Sequence, residues 1–366
     1  MDFTYSDEQV MLRDGARRFL GEQCRIDRVR EIVETDDGFD AGLWSGIAEQ
    51  GWTAMHIPEE YGGAGFSYAE TAVLLHEMGR VLAPVPYLSS AVLAAEALLA
   101  GGSEEQKAQW LPALAAGEAI GTVAIAEPGG GWEESSVSTV AEVSGDGYAV
   151  TGTKSFVTAG RIADTVIVAA SLDNRVGLFL VERAAVSATK LVTLDTTRTQ
   201  ATLELSAAPA VRLGDAGWEV VERVYDVARV ALAAEQVGGL ERVLEMAVQY
   251  AQERKQFGRA IGSFQAVKHL CADMLVALES ARSAAGFATW ALAAGSDELT
   301  MAAPLAKAYC SEAFFKAAGD NIQIHGGIGF TWEHDAHLYF KRAKSTELLF
   351  GSPAQQRAVL ADRIGL

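Results

Sequence analysis

Cysteine is scarce in this chain and its number is odd. Cys24, Cys271 and Cys310 are the only three, and they are widely spaced. Neither a disulfide framework nor a cysteine-based metal motif fits that arrangement, so reduced thiols in the cytoplasm are expected. Positive charge is also in short supply: 30 Lys and Arg stand against 48 Asp and Glu, a net charge of -18. Nucleic-acid binding needs a basic footprint, and none is visible. Long apolar runs are missing too. Ser90 to Ala100 falls well short of the roughly 20 residues that a membrane helix requires. The opening MDFTYSDEQVML has no basic n-region and no apolar h-region, so no signal peptide and no membrane association are expected.

What remains is the composition of a soluble globular protein: 49% hydrophobic and 21% charged residues over 366 positions. That length suggests two or three domains and a sizeable core. Residues 1–120 read as an N-terminal all-α domain. SDEQVMLRDGARRFL opens on Ser6 as a candidate N-cap, with apolar residues at helical spacing behind it. Residues 121–214 change to short, β-branched runs (VSTVAEVS, YAVTGTKSFV, TVIVAAS, VGLFLVE, TKLVTL, ATLELS) separated by turn signals, which predicts a middle antiparallel β domain. Residues 215–366 return to helical periodicity. The run from Gly217 to Phe257 holds it for more than thirty residues without proline, and a helix that long implies a bundle. The fold class expected is therefore α+β.

Five local motifs fall in order along this frame: LWSGIAEQGWTAMHIPEEYGGAGFS, VAIAEPGGG, GTKSFVTAG, YAQERKQFGRAIGSFQAVKHLCADM and QIHGGIGFTWEHD. Together with the block order, they resemble the acyl-CoA dehydrogenase family over nearly the whole chain. The resemblance implies FAD as cofactor, an acyl-CoA thioester as substrate and electron-transfer flavoprotein as acceptor. In that reaction a carboxylate removes the α-proton, and a hydride passes from the β-carbon to flavin N5.

The resemblance also assigns roles to single residues. Arg254, with Gln256, Phe257 and Gln265, matches the set that reaches the FAD of a neighbouring subunit; a guanidinium fork suits its pyrophosphate. Gln323, Ile324, Gly326 and Gly327 match the second half of that trans contact, where glycine allows close backbone approach. His325 among them reads as a packing or hydrogen-bonding residue. Phe156 and Thr158 match positions beside the isoalloxazine. Asp226 and Arg229, on one helix face, match positions lining the acyl-CoA site.

Two departures stand out. The family's usual glutamate base precedes a Gly-Thr or Gly-Ser pair in the last loop; here that position is Phe350, before Gly351-Ser352. The alternative position, just before the arginine matching Arg229, is Ala228. Glu235, two helical turns on, is the nearest rescue candidate, although a buried glutamate with a structural partner is the preferred reading. The second departure is the flavin loop. The family pattern Gly-x-Gly-Ser-Asp is replaced by Gly129-Gly130-Gly131-Trp132-Glu133, with Glu134 following. Carboxylates here would repel a pyrophosphate. The cis half of the site is altered and the trans half retained. That asymmetry resembles the shorter subunits of actinobacterial α2β2 acyl-CoA dehydrogenases, which act on steroid side-chain CoA thioesters with a larger catalytic subunit. Two other readings stay open: a self-sufficient homomeric dehydrogenase using Glu235, and a flavin monooxygenase on the same fold.

Overall fold

The structure is a computed structural model that describes residues 5–366. Helices come first: α1 (Asp7–Gln23), α2 (Ile26–Val33), α3 (Ala41–Glu49), α4 (Tyr68–Val81), α5 (Ala95–Gly101) and α6 (Glu104–Ala115). Ser6 caps α1 as its sequence predicts. Its hydroxyl accepts from the Gln9 amide at 3.2 Å, and the Gln9 side chain accepts from the Ser6 amide at 3.1 Å. Strands β1 (Gly121–Ala124), β2 (Val140–Ser144), β3 (Gly147–Thr158), β4 (Thr165–Leu172), β5 (Arg175–Glu182), β6 (Ser187–Lys190) and β7 (Gln200–Arg212) follow. The last block holds α7 (Trp218–Glu253), the short pair β8 (Lys255–Gln256) and β9 (Arg259–Ala260), then α8 (Gln265–Ala293), α9 (Leu299–His325), α10 (Ala336–Leu348) and α11 (Pro353–Arg363). No helix among the described residues is long and apolar enough to cross a membrane.

The chain divides into two compact units. One contains the segment ending at Arg30, Tyr68–Ala83 and Arg229–Leu366; the other contains Glu31–Ser67 and Pro84–Ala228. In the second unit the strand pairings β4–β5–β7–β3–β2 return to β4, so the sheet closes on itself. Alternate residues turn inward to a core that includes Val150, Val166, Val168, Phe179, Val181, Leu203 and Leu205. The sheet is mainly antiparallel, but β1 runs parallel to β4. This corrects the all-antiparallel expectation. The long excursion from Ala124 to Thr165 gives the chain room for a parallel crossover, which a hairpin lacks. The TKLVTL run also ends sooner than expected: β6 stops at Lys190, and Val192 and Leu194 are exposed.

In the first unit, α9 packs against α8, α10 and α11, and α1 packs on α4. Alanine dominates the buried face of α8, with Ala281, Ala285, Ala288 and Ala291 all buried, so neighbouring helices approach closely. The contact of α4 with α7 is closer still. A Cβ on Gly79 would meet the Glu235 carbonyl oxygen at 2.1 Å, and one on Gly238 would meet that of His76 at 1.9 Å. Only glycine fits at either point.

Candidate active site

The loop after α10 carries Phe350, which the resemblance places at the base position. It is buried, in the left-handed region at φ 57, with Gly351 following at φ 103. A non-glycine residue persists there only when its surroundings hold it. The holding groups are visible. Gln356 Nε2 donates to the carbonyls of Phe350 (2.7 Å) and Gly351 (3.3 Å), while Arg229 Nε donates to Gln356 Oε1 at 2.7 Å. Below the loop, the fully buried Lys307 donates to Ser311 Oγ (3.1 Å) and to the carbonyls of Glu347 (3.1 Å) and Gly351 (3.4 Å). Burial pulls the Lys307 ammonium down to about 7, opposed by the Glu347 carboxylate.

Sequence reasoning missed Gln356 and Lys307, since a polar residue in an amphipathic helix is unmarked until its partner is known. Ala228 is completely buried. Glu235 is buried too, and its Oε1 accepts from Arg342 Nη1 at 3.0 Å. That ion pair is the structural partner that the sequence left open. Asp226 and Arg229 are both buried.

In the other unit, the altered flavin loop is rooted on Glu127. Its carboxylate accepts from the Ser138 and Thr139 amides, from the Ser138 and Thr139 hydroxyls and, at 2.8 Å, from the fully buried Lys154. Burial would raise the Glu127 carboxyl, but these bonds outweigh it and bring it down to about 2. Beyond that root, Trp132 turns edge-on to Tyr225, with ring centroids 6.1 Å apart. The Trp132 amide donates to the Glu133 carboxylate at 3.1 Å, and Glu133 and Glu134 are exposed. Phe156 lies in β3 within a register shift between Lys154 and Val157, at φ 58. Such a bulge re-aims side chains. Phe156 is exposed, and a Cβ on Gly130 would come within 3.9 Å of its ring; Thr158 is buried.

Three family descriptions cover the chain: acyl-CoA dehydrogenase N-terminal domain over residues 6–118, middle domain over 122–209 and C-terminal domain over 215–365. The chain belongs to the acyl-CoA dehydrogenase family. It is 37% identical over 353 residues to the acyl-CoA dehydrogenase IpdE2 of Mycobacterium tuberculosis, covering 96% of each chain. Among solved structures, a chain of the ChsE4–ChsE5 complex from the same organism matches with a TM-score of 0.93 at 32% identity, over 100% of this chain and 99% of that one. A chain of a variant of the Tcur3481–Tcur3483 steroid acyl-CoA dehydrogenase matches with a TM-score of 0.90 at 32% identity, over 98% of both. An N-terminal helical part, a middle β part and a C-terminal helical part form the family architecture, as expected from the sequence.

Acyl-CoA dehydrogenases are FAD-dependent oxidoreductases that act on CH–CH bonds, and this chain's residues suit that cofactor unevenly. Arg254, Gln256, Phe257 and Gln265 are all exposed, Phe257 by 91%. Phe257 and Gly258, both at positive φ, form the turn between β8 and β9 that lifts the ring into solvent. Gln323 is exposed, Ile324 is buried, and added Cβ atoms on Gly326 and Gly327 would meet nothing within 4 Å. A guanidinium, amides, an unburied aromatic ring and open glycine backbone fit the diphosphate and adenine end of a dinucleotide. The loop from Gly129 to Glu134 does not fit, because its exposed side chains are acids.

Proposed function

We propose that this chain is the base-lacking subunit of a heteromeric, FAD-dependent acyl-CoA dehydrogenase, and that it clamps the adenine and pyrophosphate end of a flavin held by a larger catalytic subunit. The observation that carries this reading is Phe350: the loop where the family's base belongs is firmly held, and its side chain has no ionisable group. Ala228 closes the alternative, and the Arg342 pair occupies Glu235. The likeness to chains of two heteromeric acyl-CoA dehydrogenase complexes supports a partner. A steroid side-chain acyl-CoA is the substrate class proposed, with electron-transfer flavoprotein as acceptor and the cytoplasm as location.

In this reading Arg254 contacts the pyrophosphate, Phe257 covers the adenine, and Gln323 to Gly327 bring backbone against it. When bound, the flavin accepts the hydride. This chain's own residues bind and orient; the proton is taken by the partner subunit.

The test is native mass spectrometry with flavin quantitation. The chain alone should hold little FAD and show no turnover, and co-expression with its partner should give one FAD per heterodimer. A yellow, active homotetramer with one FAD per chain overturns the proposal. Arg254→Gln in the complex should weaken FAD retention without changing partner association.

A further inference from the structure

Three of the six histidines, His325, His334 and His337, lie close together in the C-terminal sequence, and the reading above uses none of their side chains. His325 ends α9. Its ring stacks on Tyr250 of α7, with centroids 4.3 Å apart and planes 25° apart. His334 also packs on the His325 ring, again at 4.3 Å. The backbone therefore leaves His325 and returns to it at His334. The loop between them contains Gly326 and Gly327 and exposes Ile328, Phe330 (82%) and Trp332 (74%).

Hydrogen bonds fix the donor at one ring and the charge state at the other. His325 Nδ1 lies 2.8 Å from the Asn321 carbonyl oxygen, so that nitrogen carries a proton and donates in either charge state. His334 Nδ1 accepts from the Ala336 amide at 3.1 Å, in the first turn of α10, so that nitrogen must be bare. A proton there would remove the bond and set a cation at a helix N-terminus, where positive charge is disfavoured.

Charges surround the cluster. Arg30 of α2 donates to Asp335 (2.8 Å) and to the Trp332 carbonyl (2.7 Å), and Lys341 of α10 lies 4.2 Å from the Trp332 ring centroid. His337 Nε2 is 3.4 Å from the Trp332 carbonyl oxygen. Glu333 and Asp335 are the acids of the segment, and Tyr250 faces it from α7. Burial holds all three imidazoles below the ordinary histidine range. Arg30 adds to this at His334 and His337, and Asp335 opposes it at both.

We propose that His325 and His334 are positioning residues. They form a clasp, closed when His334 is neutral, that holds the loop from Gly326 to Glu333 in the shape that meets the partner-held flavin. This rests on the trans-clamp reading above. The sign follows from the depressed titrations. Closure is complete above the ordinary histidine value of 6.5 and is lost as pH falls through the lower folded-state value.

The experiment has two arms. In the full chain alone, histidine-ring NMR and hydrogen exchange of residues 326–333 are followed from about pH 8 to 5. Exchange should rise as His334 titrates. His334→Phe keeps an aromatic ring but cannot titrate, so it should flatten the profile. In the native complex, FAD release should quicken by up to about tenfold per pH unit as pH falls from 6.5 to the folded-state titration, then level off, and His334→Phe should abolish the dependence. Loop exchange that ignores His334 overturns the clasp. A clasp that opens while FAD release stays flat overturns its role in holding flavin. Arg254→Gln, run in parallel, separates the two ideas: it leaves FAD release unchanged only if the trans clamp itself is wrong.

Discussion

Two loops have left the family pattern, and they have done so differently. The loop from Leu348 to Pro353 carries a changed side chain on a firm scaffold: Gln356, Arg229 and Lys307 hold a left-handed residue in place. The loop from Pro128 to Val137 has changed its outer residues around a buried root, the Glu127–Lys154 pair. A side chain can thus change without loss of the framework that presents it. At the loop rooted on Glu127, by contrast, the change lies in the outer residues. The structural parts of both loops are buried and coupled, whereas the acids of the flavin loop meet solvent.

The largest effect expected from testing this contrast is at the root of the flavin loop. Lys154→Met removes one partner of a buried ion pair and should cost about 3–5 kcal/mol in denaturant unfolding. A loss under about 1 kcal/mol would mean that the root is not what holds this loop. The two loops should next be separable by pH. The Glu127 carboxyl is at about 2 in the folded chain against 4.5 ordinarily, so the unfolded state binds more protons between those values and stability falls as pH drops through them. Lys307 is at about 7 against 10.5, so the unfolded state again binds more protons and stability rises as pH climbs from 7 to 10.5. Lys307→Met should shrink the alkaline limb without touching the acid limb; Lys154, held at about 8 by burial, keeps part of the alkaline limb in place. Glu127→Gln should shrink the acid limb and, by removing the Lys154 partner, steepen the alkaline one. If Lys307→Met moves the acid limb as well, the loops are energetically one system.

Much of this frame is legible in the sequence, for physical reasons that can be named. Helix α7 is readable because its apolar period runs unbroken, and Ser6 because a cap and its reciprocal glutamine are local. The reading of Phe350 and Ala228 as replacements rests on the family motif alone. The β1–β4 pairing was not readable: parallel partners so far apart in the chain leave no turn between them to mark their register. The clamp on Phe350 was hidden for the same kind of reason. Gln356 lies in α11 and Lys307 in α9, and only the fold brings both to the Gly351 carbonyl.

A smaller test bears on that clamp. Gln356→Leu removes the amide that the Phe350 carbonyl and the Arg229 guanidinium share, and should cost about 1–3 kcal/mol. Phe350→Gly in the same background should recover part of the loss, since glycine accepts φ 57 without strain. If the double variant is no better than the single one, the clamp does not restrain residue 350, and the two loops are less different than their contacts suggest.

The smallest effect concerns Trp132, which stands where the family pattern places serine. Its edge-on contact with Tyr225 makes the ring part of the local packing, so Trp132→Ser should cost about 1 kcal/mol. The informative readout is colour. If charge is what keeps flavin from this loop, Trp132→Ser alone should leave the isolated chain colourless, because Glu133 and Glu134 still face the solvent. Adding Glu133→Gln and Glu134→Gln should then raise FAD uptake. Uptake with Trp132→Ser alone would trace the loss to the bulk of one ring, and the flavin loop would then resemble the Phe350 loop: one changed side chain on an intact support.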